Sequence, residues 1–163
     1  MIVKNNAPIC WRRWGAAAGI LMGLVFLGAM CGYAAGNATI DASKYATIQE
    51  AFDAIPEGGG LVKLPAGVFE IEEPLTLARE DVRVEGAGAA THIVNKNAEG
   101  KPALIVRPSN YPEDGRARIW RIQLADFRIS GSTESGDGIL AQGVNEIYIH
   151  GLSIDHNGGH GIN

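Results

Sequence analysis

The sequence predicts an all-β protein, a single-stranded parallel β-helix whose coils are each about 22–25 residues long. Three observations carry this prediction. Short apolar segments with alternating polarity are separated by glycine-rich turns, a motif recurs near the end of the chain at a similar period, and a helical pattern occurs at one place, near the beginning. Many short strands favour a sandwich, a barrel or a solenoid, and the repeat selects the solenoid.

The overall composition excludes several classes of protein. The chain has 163 residues, a formal net charge of −4 and a pI near 5.5, whereas nucleic-acid-binding domains usually have a basic patch and a high pI. A hydrophobic content of 46% is too high for a disordered chain. The 22 glycines follow no three-residue period, so a collagen-like chain is excluded as well.

Residues 1–36 have the pattern of a secretory signal peptide. A basic segment precedes the uncharged apolar run Gly15–Met30, and small residues follow it. That order predicts export, with cleavage after Ala34 or Gly36. A retained signal anchor is the alternative, because the uncharged stretch approaches the roughly 20 residues that span a bilayer. We expect a secreted or periplasmic protein, membrane-anchored only if the leader is not cleaved.

Residues 37–163 form the second part of the chain, and their composition differs from that of the leader. Both cysteines lie in the leader, as do three of the 14 basic residues, while all 18 acidic residues follow it. The exported part is therefore predicted to be thiol-free, with a formal charge of −7. Such a surface repels an acidic polymer unless cationic side chains or a divalent cation intervene.

The first element after the leader is a predicted helix over residues 47–55. Its apolar side chains recur at helical spacing, and Thr47 and Glu50 have the spacing of a capping box. Pro56 and the glycines that follow it end the helix. A helix of about nine residues is too short to be stable alone, so its apolar face must cover another part of the fold.

Short strands are predicted after this helix. Each predicted strand has three to five residues, alternates between apolar and polar side chains, and is bounded by turn residues. The segments are Leu61–Leu64, Val68–Ile71, Leu75–Leu77, Val82–Gly86 and Ala103–Val106.

A repeat in the C-terminal part of the chain indicates how the strands are arranged. Residues 122–129 align with residues 147–154 at an offset of 25, and all four apolar positions match. A G-x-G-I segment at Gly136 aligns with a second one at Gly159, at an offset of 23. Stacked coils of this kind bury a continuous apolar ladder.

Two motifs extend the prediction to a known family. The stretch Tyr45–Gly88 contains Gly-Gly-Gly-Leu-Val-Lys-Leu-Pro-Ala-Gly-Val-Phe at residues 58–69, and residues 156–162 read His-Asn-Gly-Gly-His-Gly-Ile. Both resemble right-handed parallel β-helix proteins of the pectate lyase superfamily, which includes pectate lyases, rhamnogalacturonases and epimerases. The resemblance covers residues 45–163 and implies a helix that caps the first coil, together with a polysaccharide substrate. Because fold does not imply function, the reaction remains open.

Known catalytic motifs of that superfamily are incomplete in this sequence. Residues 159–161 resemble the Gly-His-Gly element of polygalacturonase-like hydrolases, but the preceding Asn-Thr-Asp motif and the aspartate pair are missing. The Asp-Pro-His element of the epimerases is also missing. The resemblance to pectate lyases implies Ca²⁺ as a cofactor, although no aspartate cluster is evident. We predict no other metal site, because the three histidines at residues 150, 156 and 160 fall on different parts of a coil.

Stacking of coils predicts which outward side chains are neighbours, because adjacent strands lie about 4.8 Å apart. The predicted neighbours are Arg121 with Glu146, Gln123 with Tyr148, Arg128 with Ser153, Ser130 with Asp155, and Asp137 with His160. Asp137 and His160 are the catalytic candidates, because a carboxylate beside an imidazole can orient it or share acid–base work. The alternative is that both are ordinary turn residues between glycines.

Four further residues are candidates for binding a polysaccharide. Tyr148 offers a face on which a sugar ring can stack, and Arg128 offers a cation for a uronate carboxylate. The other two are His150, a polar surface residue, and Asp155, the predicted outward neighbour of Ser130. No nucleic-acid partner is predicted.

Two functions follow from these observations. The first is an exported carbohydrate-active enzyme, a lyase, hydrolase or C5-epimerase that acts on an acidic polysaccharide. The second is a non-catalytic β-helix that binds glycans or serves as a surface structure. Because the sequence stops at Asn163 inside a repeat, we expect residues 37–163 to be the N-terminal part of a longer β-helix, with most catalytic residues lying beyond them.

Overall fold

A computed structural model of the protein describes residues 38–163. The predicted signal peptide or anchor at residues 1–36 lies outside the described residues. Within them are one α-helix, α1 (Ile48–Asp53), two short 3₁₀ helices (Ala42–Lys44 and Gly88–Ala90) and twelve strands. The strands are β1 (Thr39–Asp41), β2 (Gly60–Lys63), β3 (Gly67–Ile71), β4 (Leu75–Leu77), β5 (Val82–Glu85), β6 (Thr91–Asn95), β7 (Leu104–Val106), β8 (Ile122–Ala125), β9 (Arg128–Ser130), β10 (Ile139–Ala141), β11 (Ile147–His150) and β12 (Ser153–Asp155).

The strands form three parallel sheets. Sheet 1 has the order β1-β2-β5-β8-β11, sheet 2 the order β3-β6-β9-β12, and sheet 3 the order β4-β7-β10. From β2 onward the chain visits sheets 1, 2 and 3 in that cyclic order. We call each passage a rung: rung 1 is β2–β4, rung 2 is β5–β7, rung 3 is β8–β10, and rung 4 begins with β11 and β12. This arrangement is compatible with a parallel β-helix.

Equivalent apolar side chains of successive rungs stack into ladders. In sheet 1, Val62 pairs with Val84, and Val84 pairs with Leu124. The ladder in sheet 2 passes from Ile93 to Ile129. All five of these side chains are buried, and burial of each is worth about 1.5–3 kcal/mol relative to exposure. The alternation of buried and outward residues along each strand therefore fixes which side chains reach the surface.

Helix α1 begins close to its predicted position. The side chain of Thr47 accepts a hydrogen bond from the backbone N–H of Glu50 at 3.1 Å, and the Glu50 carboxylate accepts one from the N–H of Ala46. The apolar residues of the predicted helical face are buried in the core: Ile48, Ala51, Phe52 and Ile55. The helix packs against β4.

The five predicted strands are confirmed, with boundaries that shift slightly. Strands β1 and β6 are not indicated by the sequence pattern. The expected coil length, about 22–25 residues, fits the passage from rung 1 to rung 2, where Leu61 pairs with Arg83. It is wrong for the passage from β5 to β8, where Arg83 pairs with Gln123 and the two are 40 residues apart in sequence. Most of the extra residues lie between β7 and β8, in a loop that forms no strand.

None of the helices within residues 38–163 is long and apolar enough to cross a membrane.

Candidate functional site

The outward face of sheet 1 presents one row of side chains that crosses four strands. The register pairs Leu61 with Arg83, Arg83 with Gln123, and Gln123 with Tyr148. Because neighbouring strands lie about 4.8 Å apart, these four positions span about 14 Å across the strands. Gln123 and Tyr148 are thus neighbours, as the repeat alignment predicts. The Arg83 guanidinium donates a hydrogen bond to Oε1 of Gln123 at 3.1 Å, which connects rungs 2 and 3 on this surface.

Two adjacent cavities lie along this row, and we call them together the sheet 1 groove. Their volumes are about 610 and 470 Å³, and both are lined by Arg121 and Gln123. The larger cavity extends to Thr39 and the smaller one to Tyr148. The groove therefore runs across the strands from β1 to β11, a shape that suits an extended ligand better than a compact one.

An aromatic pair lies at the rung 4 end of this groove. The rings of Tyr148 and His150 have centroids 4.9 Å apart and planes tilted by 36°. Tyr148 is 61% exposed, so most of its ring is free to contact a ligand. The structure thus brings together two of the residues predicted to bind substrate.

An ion pair closes one side of the groove between rungs 2 and 3. Arg121 donates hydrogen bonds to both carboxylate oxygens of Asp81, with 2.8 Å between Nη2 and Oδ2. This pairing lowers the pKa of Asp81 and raises the pKa of Arg121. Both residues have positive φ angles of 56°, and they occupy equivalent turn positions before β5 and β8. Arg121 also lies next to Glu146 on rung 4, as the repeat alignment predicts, but its guanidinium donates its hydrogen bonds to Asp81 on the preceding rung.

The other two predicted binding residues form an ion pair on a different sheet. On sheet 2, Arg128 lies beside Ser153, and Ser130 lies beside Asp155, as predicted. Nε and Nη2 of Arg128 donate to the two oxygens of Asp155 at 2.9 and 3.0 Å. His156 Nδ1 lies 2.5 Å from Asp155 Oδ1. The Arg128 guanidinium, assisted by His156, lowers the pKa of Asp155 to about 2, so this carboxyl group is ionised and fully engaged at neutral pH.

The catalytic candidates Asp137 and His160 are neighbours at the turn before β10, as predicted. Asp137 Oδ1 accepts a hydrogen bond from the backbone N–H of His160 at 2.7 Å and lies 3.3 Å from His160 Nδ1. Its Oδ2 accepts one from Asn163 at 2.9 Å. The Asn163 amide, followed by the His160 N–H, lowers the pKa of Asp137. Both carboxylate oxygens of Asp137 therefore accept hydrogen bonds from residues of the following turn.

The six predicted residues therefore lie in three places rather than in one site. Tyr148 and His150 are on sheet 1, Arg128 and Asp155 on sheet 2, and the Asp137–His160 pair in a turn that leads into sheet 3.

A further polar pair, which sequence reasoning missed, lies on sheet 2. His92 Nε2 is 2.7 Å from the hydroxyl oxygen of Ser130. Ser130 lines a cavity of about 250 Å³, together with Arg128, Thr133, His156 and Asn157. We call this the sheet 2 cavity. The register pairs His92 with Arg128 across the long loop between rungs 2 and 3, so a search at the period of the C-terminal repeat could not align them.

In the described part of the chain, no three His, Cys, Asp or Glu side chains gather closely enough to hold a metal ion. Calcium binding remains an expectation from the family resemblance alone.

Comparisons with known proteins bear on the fold. No protein-family model matches this sequence, and no curated protein matches it. The chain is similar in structure to a protein described as Geobacillus virus E2 ORF18, with a TM-score of 0.70 and 20% sequence identity. The match covers 76% of this chain and 27% of that one, so this chain spans about a quarter of the viral protein's length. At this level of identity the likeness shows the fold and nothing about activity.

Proposed function

We propose that this chain belongs to an exported protein of the pectate lyase superfamily that binds polysaccharide along the sheet 1 groove. In this proposal the fold is a right-handed parallel β-helix, and α1 caps its first rung. The observation that carries the proposal is the row of outward side chains across four strands, which ends at the exposed ring of Tyr148. A row repeated at the strand spacing suits a polymer whose own units repeat.

The chemistry of the groove favours hydrogen bonding and stacking over ionic recognition. Gln123 and Asn145 line it and can each both donate and accept hydrogen bonds. The two arginines of the groove are already paired, Arg83 with Glu85 at 2.8 Å and Arg121 with Asp81. A carboxylated polymer has to compete with those carboxylates, in a domain of net negative charge. We therefore propose a neutral polysaccharide as the preferred ligand and an acidic one as the weaker ligand.

The ionisation and hydrogen bonding of the candidate carboxylates favour a binding function over lyase, hydrolase or epimerase chemistry. A general acid or base must be free to exchange a proton with the substrate. Asp137 and Asp155 both have lowered pKa values and both oxygens hydrogen-bonded. Neither is therefore poised to transfer a proton at neutral pH.

The experiment is affinity electrophoresis of the purified chain through gels that contain neutral or acidic polysaccharides. We expect retardation by at least one neutral polymer, and we expect it to be lost in Tyr148→Ala. Tyr45→Ala is the matched control, because Tyr45 is also exposed but does not line the groove. The proposal fails if no polymer in a broad panel retards the chain, or if both variants lose retardation equally.

A further inference from the structure

Beyond polysaccharide binding, we propose that Ser130 and His92 form a nucleophile–base pair that hydrolyses small acyl esters in the sheet 2 cavity. The Ser130 hydroxyl oxygen lies 2.7 Å from Nε2 of His92, within the range needed for an imidazole to take the proton from a serine nucleophile. The two residues are on neighbouring strands, β6 and β9, of a hydrogen-bonded sheet, so the fold itself holds them in place.

Ser130 is largely buried beside a small cavity. The residue is 8% exposed and lines the sheet 2 cavity, whose volume is about 250 Å³. A hydroxyl in such a place is screened from bulk water but still open to a small ligand. The cavity is small, which limits the acyl group to one of about acetyl size. The substrate class is therefore a short-chain ester, such as an O-acetyl group on a sugar.

Arg128 supplies the third feature, a fixed positive charge beside the pair. It lines the same cavity and lies next to His92 in the register of sheet 2. Asp155 accepts hydrogen bonds from its Nε and Nη2 atoms and so orients the guanidinium, and Nη1 makes no hydrogen bond within residues 38–163. Positive charge placed where a tetrahedral oxyanion develops is the usual way to stabilise acyl transfer.

The reaction consists of two steps. In the first, Ser130 Oγ attacks the ester carbonyl carbon while His92 Nε2 takes the hydroxyl proton. The bond to the alcohol oxygen then breaks, and the alcohol leaves with that proton, so that an acyl-serine remains. In the second, water attacks the acyl-serine, again with His92 as base, and the acid is released as Ser130 regains its proton. No oxidant, reductant or metal is needed.

The test is covalent labelling of the full chain with a fluorophosphonate probe, followed by peptide mapping. We expect one label per chain, on Ser130, and a burst of p-nitrophenol from p-nitrophenyl acetate. In His92→Gln, labelling should slow by about a hundredfold or more, the contribution expected of a general base. Ser153→Ala is the matched control, because Ser153 lies beside Arg128 on the same sheet but outside the cavity; we expect less than a twofold change.

Several outcomes overturn the proposal: no label, a label on another residue, or unchanged labelling in His92→Gln. Because the labelled residue is mapped in the unmodified chain, the result does not depend on whether a variant at Ser130 folds. Because neither readout involves a polysaccharide, failure here leaves the proposed glycan binding untouched, and failure of glycan binding leaves this proposal untouched.

Discussion

The side chain of Gln49 forms two hydrogen bonds with the backbone of Thr76 and so takes the place of a neighbouring strand. Its Nε2 donates to the Thr76 carbonyl at 3.1 Å, and its Oε1 accepts from the Thr76 N–H at 2.7 Å. Thr76 lies on β4, the last strand at one edge of sheet 3. An unpaired strand edge attracts other chains unless it is covered, so this one glutamine links α1 to the sheet and blocks that edge.

Replacement of Gln49 by Ala is expected to lower the free energy of unfolding by about 1–3 kcal/mol, because both part-buried backbone groups of Thr76 lose their partner. Asp53→Ala is the control. It removes the other contact of the Gln49 amide, at 2.8 Å, which is an exposed pair one helical turn apart and worth about 0.2–0.5 kcal/mol. Urea unfolding followed by circular dichroism measures both. Equal losses in the two variants would contradict the assigned role.

Alanine substitutions at Gly59 and Gly88 separate the effect of a strained backbone on stability from the effect of steric overlap. Both have positive φ angles, 77° and 65°, so alanine is strained by about 1–2 kcal/mol at either position. A Cβ at Gly88 meets nothing within 4 Å, whereas one at Gly59 overlaps the carbonyl oxygen of Asp81 on the next rung. Gly59→Ala should therefore cost about 2–5 kcal/mol, since overpacking adds to the strain.

Thermal and urea unfolding of the two alanine variants test this difference. Gly59→Ala should also weaken the hydrogen bond from Gly60 N–H to the Asp81 carbonyl, which is 3.0 Å long. Faster amide hydrogen exchange in β2 is therefore expected in that variant and not in Gly88→Ala. Similar stabilities in the two variants would show that a Cβ at position 59 does not overlap the Asp81 carbonyl oxygen.

The Arg128–Asp155 pair predicts a dependence of stability on pH. Arg128, with His156, lowers the pKa of Asp155 to about 2, while an aspartate in an unfolded chain has a pKa of about 3.9. The folded state thus binds this proton less tightly than the unfolded state. The stabilisation is complete above about pH 4 and is lost as the pH falls toward 2.

Asp155→Asn is expected to lower the urea midpoint at pH 7, and the difference from the unmodified chain should shrink as the pH falls from 4 toward 2. The effect is modest, because both side chains remain about one-third exposed and water screens such pairs. Ser153→Ala alters a residue of the same strand, and its urea midpoint relative to the unmodified chain should not change over this pH range. If the difference in urea midpoint between Asp155→Asn and the unmodified chain stays constant with pH, the ion pair does not stabilise the fold as described.

The repeat near the end of the chain was predictable because its two copies carry no insertion between them. Ile129 pairs with Ile154 and Leu124 with Ile149, both in the register that the sequence alignment predicts. Matching apolar side chains must fill the same ladder, so the packing requirement appears directly in the sequence. The neighbours of Gln123 and of Arg128 on rung 4 followed from this alignment.

The remaining contacts could not be predicted, because a long loop interrupts the period between rungs 2 and 3. The Arg121–Asp81 pair bridges 40 residues, and the His92–Ser130 contact bridges 38. A sequence pattern contains no information about which side chains meet across an insertion of unknown length. Side-chain direction was also inaccessible, since Arg121 could turn toward either adjacent rung and the carboxylate of Asp81 decides which.

Tyr148 provides the sharpest test of the proposed glycan groove. Its ring is 61% exposed and lies at the end of the row that starts at Leu61. Loss of one stacking face in Tyr148→Ala should weaken polysaccharide binding by about tenfold, which corresponds to about 1.4 kcal/mol. Tyr148→Phe keeps the ring and should bind within about twofold of the unmodified chain, so the pair separates stacking from hydrogen bonding by the hydroxyl group.

Isothermal titration with the best-retarded polymer measures these affinities. His150→Ala should give an intermediate loss, because the imidazole lies 4.9 Å from the Tyr148 ring and holds it in position without contacting the ligand as broadly. Folding of each variant is checked by its melting temperature, which should change little, since Tyr148 contributes little to the buried core. If Tyr148→Phe loses as much affinity as Tyr148→Ala, the hydroxyl group rather than the ring face carries the interaction, and the stacking role assigned to Tyr148 is wrong.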